Sequence, residues 1–381
     1  MINIEKIYKI DNINNYINKY LFEKNIINIC TPTLFYSFPE YGNDEMYVDY
    51  YDDRYFLPQS HEYFTSFMSL FFKKSMYSIE KCYRNEKKAS EKKALEFRQI
   101  CICLYNNKIQ DGLNFLKLFL YNLIEKKLNK SIKFTTISFN YSLKRYCDDS
   151  PDLRYGEYYL RKEKLDNVYI YNMYIKKSNI KSIDILSKIS KHSSIKVAYR
   201  DIDNITDIPK DFDLIISLYS ESSNISYSIK SKFSKIRKAL FDKKFDYEVV
   251  IINSIPIKSE NTIEHNIFTK IVKKGNLYIP DNEFTKCDIV INGLEIVSMG
   301  EKNNRKELVK NTLEFFENNG KYSESLFKLI KKHSDLWDNE VYRTTMGIGY
   351  ERLLQVLLEE DHIHSVSFNR NDLFKIQVMS K

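Results

Sequence analysis

Residues 287–297 read CDIVINGLEIV, two β-rich runs joined by Asn292-Gly293. Asn-Gly suits a two-residue turn whose central residues both take positive φ, so the segment predicts a tight antiparallel hairpin. With those residues at the turn, Ile291 faces Leu294 and Val290 faces Glu295. Asp288 then shares a face with Glu295 as its diagonal neighbour, at roughly 7–8 Å. Two carboxylates on one face of an apolar hairpin repel each other unless a cation lies between them. Hard oxygen ligands suit Mg2+ bound to phosphates. The pair also reads as two exposed acids on a solvated face.

A second hairpin is written in CYRNEKKASEKKALEFRQICICL, residues 82–104. Arg84 and Glu86 share one strand face, and Phe97, Gln99 and Cys101 share a face of the return strand. The guanidinium of Arg84 can hold a phosphate or a carboxylate through two bonds, and Phe97 can stack on a planar base. Lys87, Lys88, Lys92 and Lys93 in the loop could hold further phosphate, such as that of an RNA end. A plain surface hairpin with a solvated loop accounts for the same pattern. Near the end, GIGYERLLQVLL carries two glycines into an amphipathic helix that has Arg352 in its opening turns. Glycines allow close backbone approach, and a helix start with an arginine favours an anion.

Between these segments the periodicity alternates. Ile7, Ile10, Ile13, Ile17 and Leu21 recur at helical spacing within 5–29, before the extended INICTPTLF with Pro32. Residues 46–58 predict two short strands around Asp52-Asp53, Glu62 to Phe72 is helical, and one long helix is expected over 110–128. Residues 157–262 mix short apolar runs with lysine-rich helical stretches, and a further helix is expected over about 305–332. Strand runs separated by single helices predict an α+β fold on an antiparallel sheet flanked by helices. The expected division is 1–156 and 263–381 as one domain, interrupted by an α/β insertion over 157–262.

The net charge of +8 admits a polyanionic partner, although lysine is spread along the whole chain and a solvated surface explains it as well. Six cysteines show no C-x-x-C pair, and six scattered histidines argue against zinc, so structural thiols in a reducing cytosol are expected. No apolar stretch reaches the length of a membrane span, and the acidic residues of MINIEKIYKI do not suit a signal peptide. A cytoplasmic chain with no membrane partner is the expectation. There is no Walker A, no Rossmann glycine motif and no Ser-His-Asp arrangement.

Taken in order, INICTPTLF, YRNE with LEF, and GIGYERLL resemble the three signature motifs of class II aminoacyl-tRNA synthetases. FLPQSHEYF, the segment 134–156 ending in SPDLRYG, EHNIFT at 264–269, CDIVINGLEI and HIHSVSFNR resemble the bacterial-type aspartyl branch of the aspartyl, asparaginyl and lysyl subclass. The resemblance implies a class II antiparallel sheet with the insertion between the second and third motifs, and a homodimer formed around Pro32. It implies that Arg84 and Arg352 are the catalytic pair on the ATP phosphates, with Glu86 and Phe97 also binding ATP, Phe97 against adenine. Asp288 and Glu295 would bind Mg2+. Ser60, Glu62 and Gln99 would surround the α-amino group of the amino acid, and His265 and Lys302 would face its side chain.

This sequence also departs from the family pattern. Thr65 stands for a lysine, Lys302 for an arginine, Asn266 for a histidine, Cys101 for an acid and Glu62 for a glutamine, and VSMGEK replaces a glycine-rich run. On this resemblance the chain is expected to start at the catalytic domain, without the N-terminal anticodon-binding OB domain of the family. The expectation is therefore a paralogue that activates an acidic or polar amino acid with ATP and passes it to tRNA or another acceptor. An asparagine-synthetase-like ammonia ligase and a non-catalytic regulator are the alternatives.

Overall fold

The computed structural model describes residues 3–35, 46–85, 93–155, 158–165, 168–176, 180, 195–199, 214–220, 227–255, 271–274, 277–280, 286–302, 306, 332–333, 336 and 341–367. Within these the chain runs α1 (Ile4–Glu23), β1 (Ile27–Asn28), β2 (Tyr47–Tyr50), β3 (Asp53–Phe56), α2 (Glu62–Phe72), β4 (Met76–Tyr83), β5 (Glu96–Tyr105) and α3 (Ile109–Tyr121). It continues through β6 (Ile132–Ser138), α4 (Phe139–Tyr146), β7 (Tyr159–Leu165), β8 (Val168–Ile175), β9 (Ile195–Tyr199), β10 (Leu214–Ser220), α5 (Tyr227–Leu240) and β11 (Tyr247–Asn253). The last stretch holds β12 (Ile271–Lys274), β13 (Leu277–Pro280), β14 (Lys286–Ile291), β15 (Leu294–Glu301), β16 (Arg343–Gly349) and α6 (Tyr350–Leu357). The architecture is α+β, as the periodicity requires. None of the described helices is long and apolar enough to cross a membrane.

Two compact units emerge. One comprises Met1–Leu128, Asn253–Ile289 and Glu295–Lys381; the other comprises Asn129–Ile252 with the hairpin tip Val290–Leu294. In the first unit, β1, β4, β5, β16, β15 and β14 lie side by side in that order. Here β1 runs parallel to β4, while β4 on β5, β5 on β16 and β16 on β15 are antiparallel. The central strands β5 and β16 are buried along most of their length because helices cover both faces. The helix α2 meets one face, where Arg343 donates to the Ser66 carbonyl at 3.1 Å. The helix α3 meets the other, where its Ile109 N–H donates to Glu301 at 3.0 Å.

Local chemistry sets the element ends. The Asn3 side chain caps α1 by accepting from the Lys6 N–H, and Ile13, Ile17, Tyr20 and Leu21 form its buried stripe. The helix ends at Glu23, short of 29, because Asn25 takes a φ of 55° and turns the chain into β1. The turn between β2 and β3 falls on Tyr51-Asp52, one residue ahead of the expected Asp52-Asp53, since Tyr50 pairs with Asp53. The helix expected over 110–128 is α-helical only to Tyr121 and continues as a π turn, Asn122–Lys127. Most of the expected helix over 305–332 lies outside the described residues.

The second unit holds an antiparallel sheet in the order β7, β8, β10, β9, with Tyr158, Tyr171, Met173, Ile216 and Phe233 among the side chains in its core. Its hairpin tip has the expected turn: φ is 54° at Asn292 and 81° at Gly293. The Glu248 N–H donates to Asn292 Oδ1 at 3.0 Å, and the Asn292 N–H donates back to the Glu248 carbonyl at 3.1 Å. Asp152, gripped by Arg154 through Nε at 3.0 Å and a second nitrogen at 2.8 Å, packs against the turn. A Cβ on Gly293 would stand 2.9 Å from Asp152 Cβ, so the turn needs glycine for both space and backbone conformation.

Candidate active site

Register creates the site. Ser78 pairs with Cys101, Cys101 with Gly347, and Gly347 with Ser298. Four small residues in a row across β4, β5, β16 and β15 leave space above the sheet, and a cleft of about 620 Å3, its open mouth included, occupies the neighbouring area. Arg84, Phe97, Gln99, Glu295, Ser298 and Arg352 line it, contributed by segments far apart in the chain.

One end of the cleft is cationic and aromatic. The Arg84 guanidinium lies 5.2 Å from the centroid of the Phe97 ring. Its Nε is shielded from solvent and donates to no described residue, so a donor stands ready for an anion. Arg352, early in α6, donates to the Glu295 carbonyl at 3.0 Å and lies 3.9 Å from the Glu295 carboxylate. Glu351 holds α6 to the sheet by accepting from Arg98 N–H at 2.7 Å and Arg98 Nε at 3.0 Å. That clamp sets the position of Arg352 one residue on.

The other end is polar and enclosed. Three donors converge on Gln99 Oε1: the His61 N–H at 3.4 Å, the Cys101 thiol at 3.2 Å and the Cys82 thiol at 3.6 Å. With its oxygen so engaged, the Gln99 amide turns Nε2 toward Gly347, where a Cβ would stand 2.5 Å from it. His61 is itself fixed. Its Nε2 meets the Lys81 carbonyl at 2.8 Å and so carries the proton, which leaves Nδ1 to accept from Thr31 at 2.6 Å. Burial holds this imidazole below its ordinary pKa. Ser60, just ahead of α2, accepts from the Glu62 N–H at 3.1 Å.

Glu62 meets Lys302 at 2.6 Å, with 2% of the lysine side chain and 16% of the glutamate side chain exposed. The Thr345 hydroxyl donates to the same Glu62 oxygen. Burial pushes the Glu62 carboxyl up, but the Lys302 ammonium, Thr345 and Lys286 together hold it below the usual carboxylate range.

The structure thus gathers Arg84, Phe97, Gln99, Glu295 and Arg352 around one cleft and sets Ser60, Glu62 and Lys302 in and beside its enclosed end. Asp288 sits half-buried on β14 with Oδ1 shielded from solvent. Glu86, His265, Lys87, Lys88 and Lys92 lie outside the described residues. Thr345, Ser298, His61 and Glu351 escape sequence reading. The strand register reveals the first two, and the other two act through contacts between distant segments. Among the described residues no group of three or more His, Cys, Asp or Glu could hold a metal ion. All six cysteines are free thiols.

Solved structures show the same fold. Asparaginyl-tRNA synthetase of Entamoeba histolytica, in complex with asparaginyl-adenylate, superposes with a TM-score of 0.55 at 14% identity over 95% of this chain and 66% of that one. Asparaginyl-tRNA synthetase of Pyrococcus horikoshii gives 0.51 at 13% identity over 95% and 67%. The chain belongs to the family of class II tRNA synthetases (D, K and N), whose model matches residues 4–371. It is similar to the aspartate–tRNA ligase of Buchnera aphidicola subsp. Schizaphis graminum, 27% identical over 355 residues, covering 74% of this chain and 58% of that protein. It is also similar to the aspartate–tRNA(Asp/Asn) ligase of Thermoanaerobacter sp., 29% identical over 144 residues, covering 37% and 24%. The chain therefore spans little more than half the length of the Buchnera relative.

Proposed function

We propose that this chain activates an acidic or polar amino acid with ATP, forming an aminoacyl adenylate, and passes the acyl group to tRNA or another acceptor. The observation that carries the reading is the shielded, unengaged Nε of Arg84 above the Phe97 ring, in the same cleft as Arg352 and Glu295. A cation with an open donor beside an aromatic face suits a nucleoside triphosphate. A carboxylate oxygen of the amino acid attacks the α-phosphorus, the bond to the β-phosphate oxygen breaks, and pyrophosphate leaves.

No side chain need act as nucleophile. Arg84 and Arg352 hold and neutralise the phosphates as charge moves onto pyrophosphate, and positioning supplies the rest. Phe97 offers its ring to the adenine, and Glu86 belongs to the same end by resemblance. Glu62, Ser60 and Gln99 hold the amino acid at the enclosed end, and His265 is assigned to its side chain. Glu295 and Asp288 would hold Mg2+; one or two carboxylates suffice for an ion that completes its shell with phosphate oxygens and water. Bound there, the ion would add positive charge against the phosphates.

On this reading 1–156 and 263–381 form the catalytic domain and 157–262 an insertion, a division supported by β7, β8, β9 and β10 all falling inside the latter. A homodimer through the segment around Pro32 is part of the proposal, supported by the exposed Ile27 and Leu34 beside it. So is a cytoplasmic setting, supported by the six free thiols. Pyrophosphate exchange into ATP, measured with each of the twenty amino acids, tests the reading. Exchange that depends on a polar or acidic amino acid supports it, and exchange with none overturns it.

A further inference from the structure

The family resemblance assigns Lys302 to the amino acid side chain, but its contacts in this chain point elsewhere. Its ammonium lies 2.6 Å from Glu62 Oε1 and its side chain is 2% exposed. Its backbone is fixed too, the N–H donating to the Arg343 carbonyl at 2.8 Å. Thr345 donates to the same Glu62 oxygen. The second oxygen, Oε2, turns toward the cleft floor, 3.7 Å from where a Cβ on Gly347 would lie and so on the side of Gln99 Nε2. Glu62 is therefore held from behind by Lys302 and Thr345 through one oxygen and presents the other to the floor.

An ammonium this enclosed has its charge committed. To reach a ligand carboxylate it would have to leave the enclosed Glu62 without the ammonium that contacts it, which is the costly way to break an enclosed pair. Building on the activation reading above, we propose that Lys302 is a positioning residue for Glu62, the carboxylate that takes the amino acid's α-ammonium, and does not read the amino acid's side chain. Side-chain selection then falls to other groups, and Lys302 affects every amino acid substrate alike. The electrostatics agree. Burial raises the Glu62 pKa, while Lys302 first, then Thr345 and Lys286, bring it below its ordinary value.

The test is pyrophosphate exchange with aspartate, asparagine and any other accepted amino acid, using the parent, Lys302→Met, Lys302→Arg and Glu62→Gln. Lys302→Met is expected to raise KM for every amino acid by a similar factor, about 10–100-fold, as expected when a charged contact is lost. The aspartate-to-asparagine ratio should stay within about twofold, since a residue acting on the common ammonium shifts both alike. The acid limb of the KM profile should move to higher pH, Lys302→Arg should recover most of the affinity, and Glu62→Gln should share the uniform loss. A tenfold or larger change in that ratio, with KM for the neutral amino acid unmoved, would overturn the proposal.

Exchange with no amino acid at all would overturn the activation reading and leave the ion pair to be read directly. Carbon-13 NMR of carboxyl-labelled glutamate serves there, with Glu62 assigned by its absence from Glu62→Gln. Its titration midpoint should lie below the ordinary range in the parent and rise in Lys302→Met. An unmoved midpoint would sink the proposed role of Lys302.

Discussion

Gly347→Ala isolates the geometry of the cleft floor. The added Cβ would stand 2.5 Å from Gln99 Nε2 and 3.3 Å from its carboxamide carbon, while Glu62 Oε2, at 3.7 Å, is in ordinary contact. Something has to move. The clashing atom is the end of a flexible side chain, so the sheet keeps its register and the amide swings aside. That swing releases Gln99 Oε1 from His61, Cys101 and Cys82, bonds of 3.2–3.6 Å whose loss costs the fold about 1 kcal/mol in sum, a drop of roughly 1–2 °C in melting temperature. The effect on the reaction is larger, because the floor loses a positioned donor and part of its space. A lost contact of about 1.5–3 kcal/mol corresponds to roughly 10–150-fold in kcat/KM. Gly349→Ala is the matched comparison: the atoms nearest its Cβ belong to the Arg352 side chain, at an ordinary 3.5–3.7 Å, so its loss should be at least about tenfold smaller. Calorimetry and pyrophosphate exchange on the same preparations decide the matter. Near-parental exchange by Gly347→Ala would refute the placement of the amino acid on this floor, and outright unfolding would refute the claim that the amide yields.

Arg84→Ala and Arg352→Ala should each lower exchange by about a hundredfold or more, the scale of a charge-assisted contact to a reacting phosphate, and near-parental rates in both would refute the phosphate assignment. Gly293→Ala combines a φ of 81° with a Cβ 2.9 Å from Asp152 Cβ and should destabilise the protein by about 2–4 kcal/mol, visible in urea unfolding. Glu62 titrates lower in the folded chain than its ordinary 4.5, so its stabilising contribution is complete above about that pH and is lost as pH falls through the lowered folded value. Acid unfolding of Glu62→Gln should accordingly show a shallower pH dependence below about 4.5 than the parent; identical slopes would count against an ionised, paired Glu62.

What could be read in the sequence were features carried by neighbours in the chain. Asn292-Gly293 specifies its hairpin because the demand for positive φ is local. Arg84, Phe97 and Arg352 could be read because each sits at a strand or helix end inside a compact motif. What could not be read depends on which strands lie together. That Gly347 faces Cys101 on one side and Ser298 on the other follows from the order β5, β16, β15, and no periodicity specifies that order. The pairing of Lys302 with Glu62 is hidden for the same reason: one follows β15, the other opens α2, and the resemblance assigns them to different parts of the amino acid. The end of α1 and the π turn after α3 escape pattern reading because one asparagine at positive φ and a change of hydrogen-bond spacing over Asn122–Lys127 alter the backbone while the apolar pattern runs on.

The most direct test of the central claim is capture of the activated amino acid. The purified chain, ATP, Mg2+ and one amino acid are incubated with hydroxylamine, and the hydroxamate, AMP and pyrophosphate are quantified. Equal amounts of all three are expected, dependent on the amino acid and lost in Arg352→Ala. ADP and phosphate in their place, or AMP released without any amino acid, would contradict it.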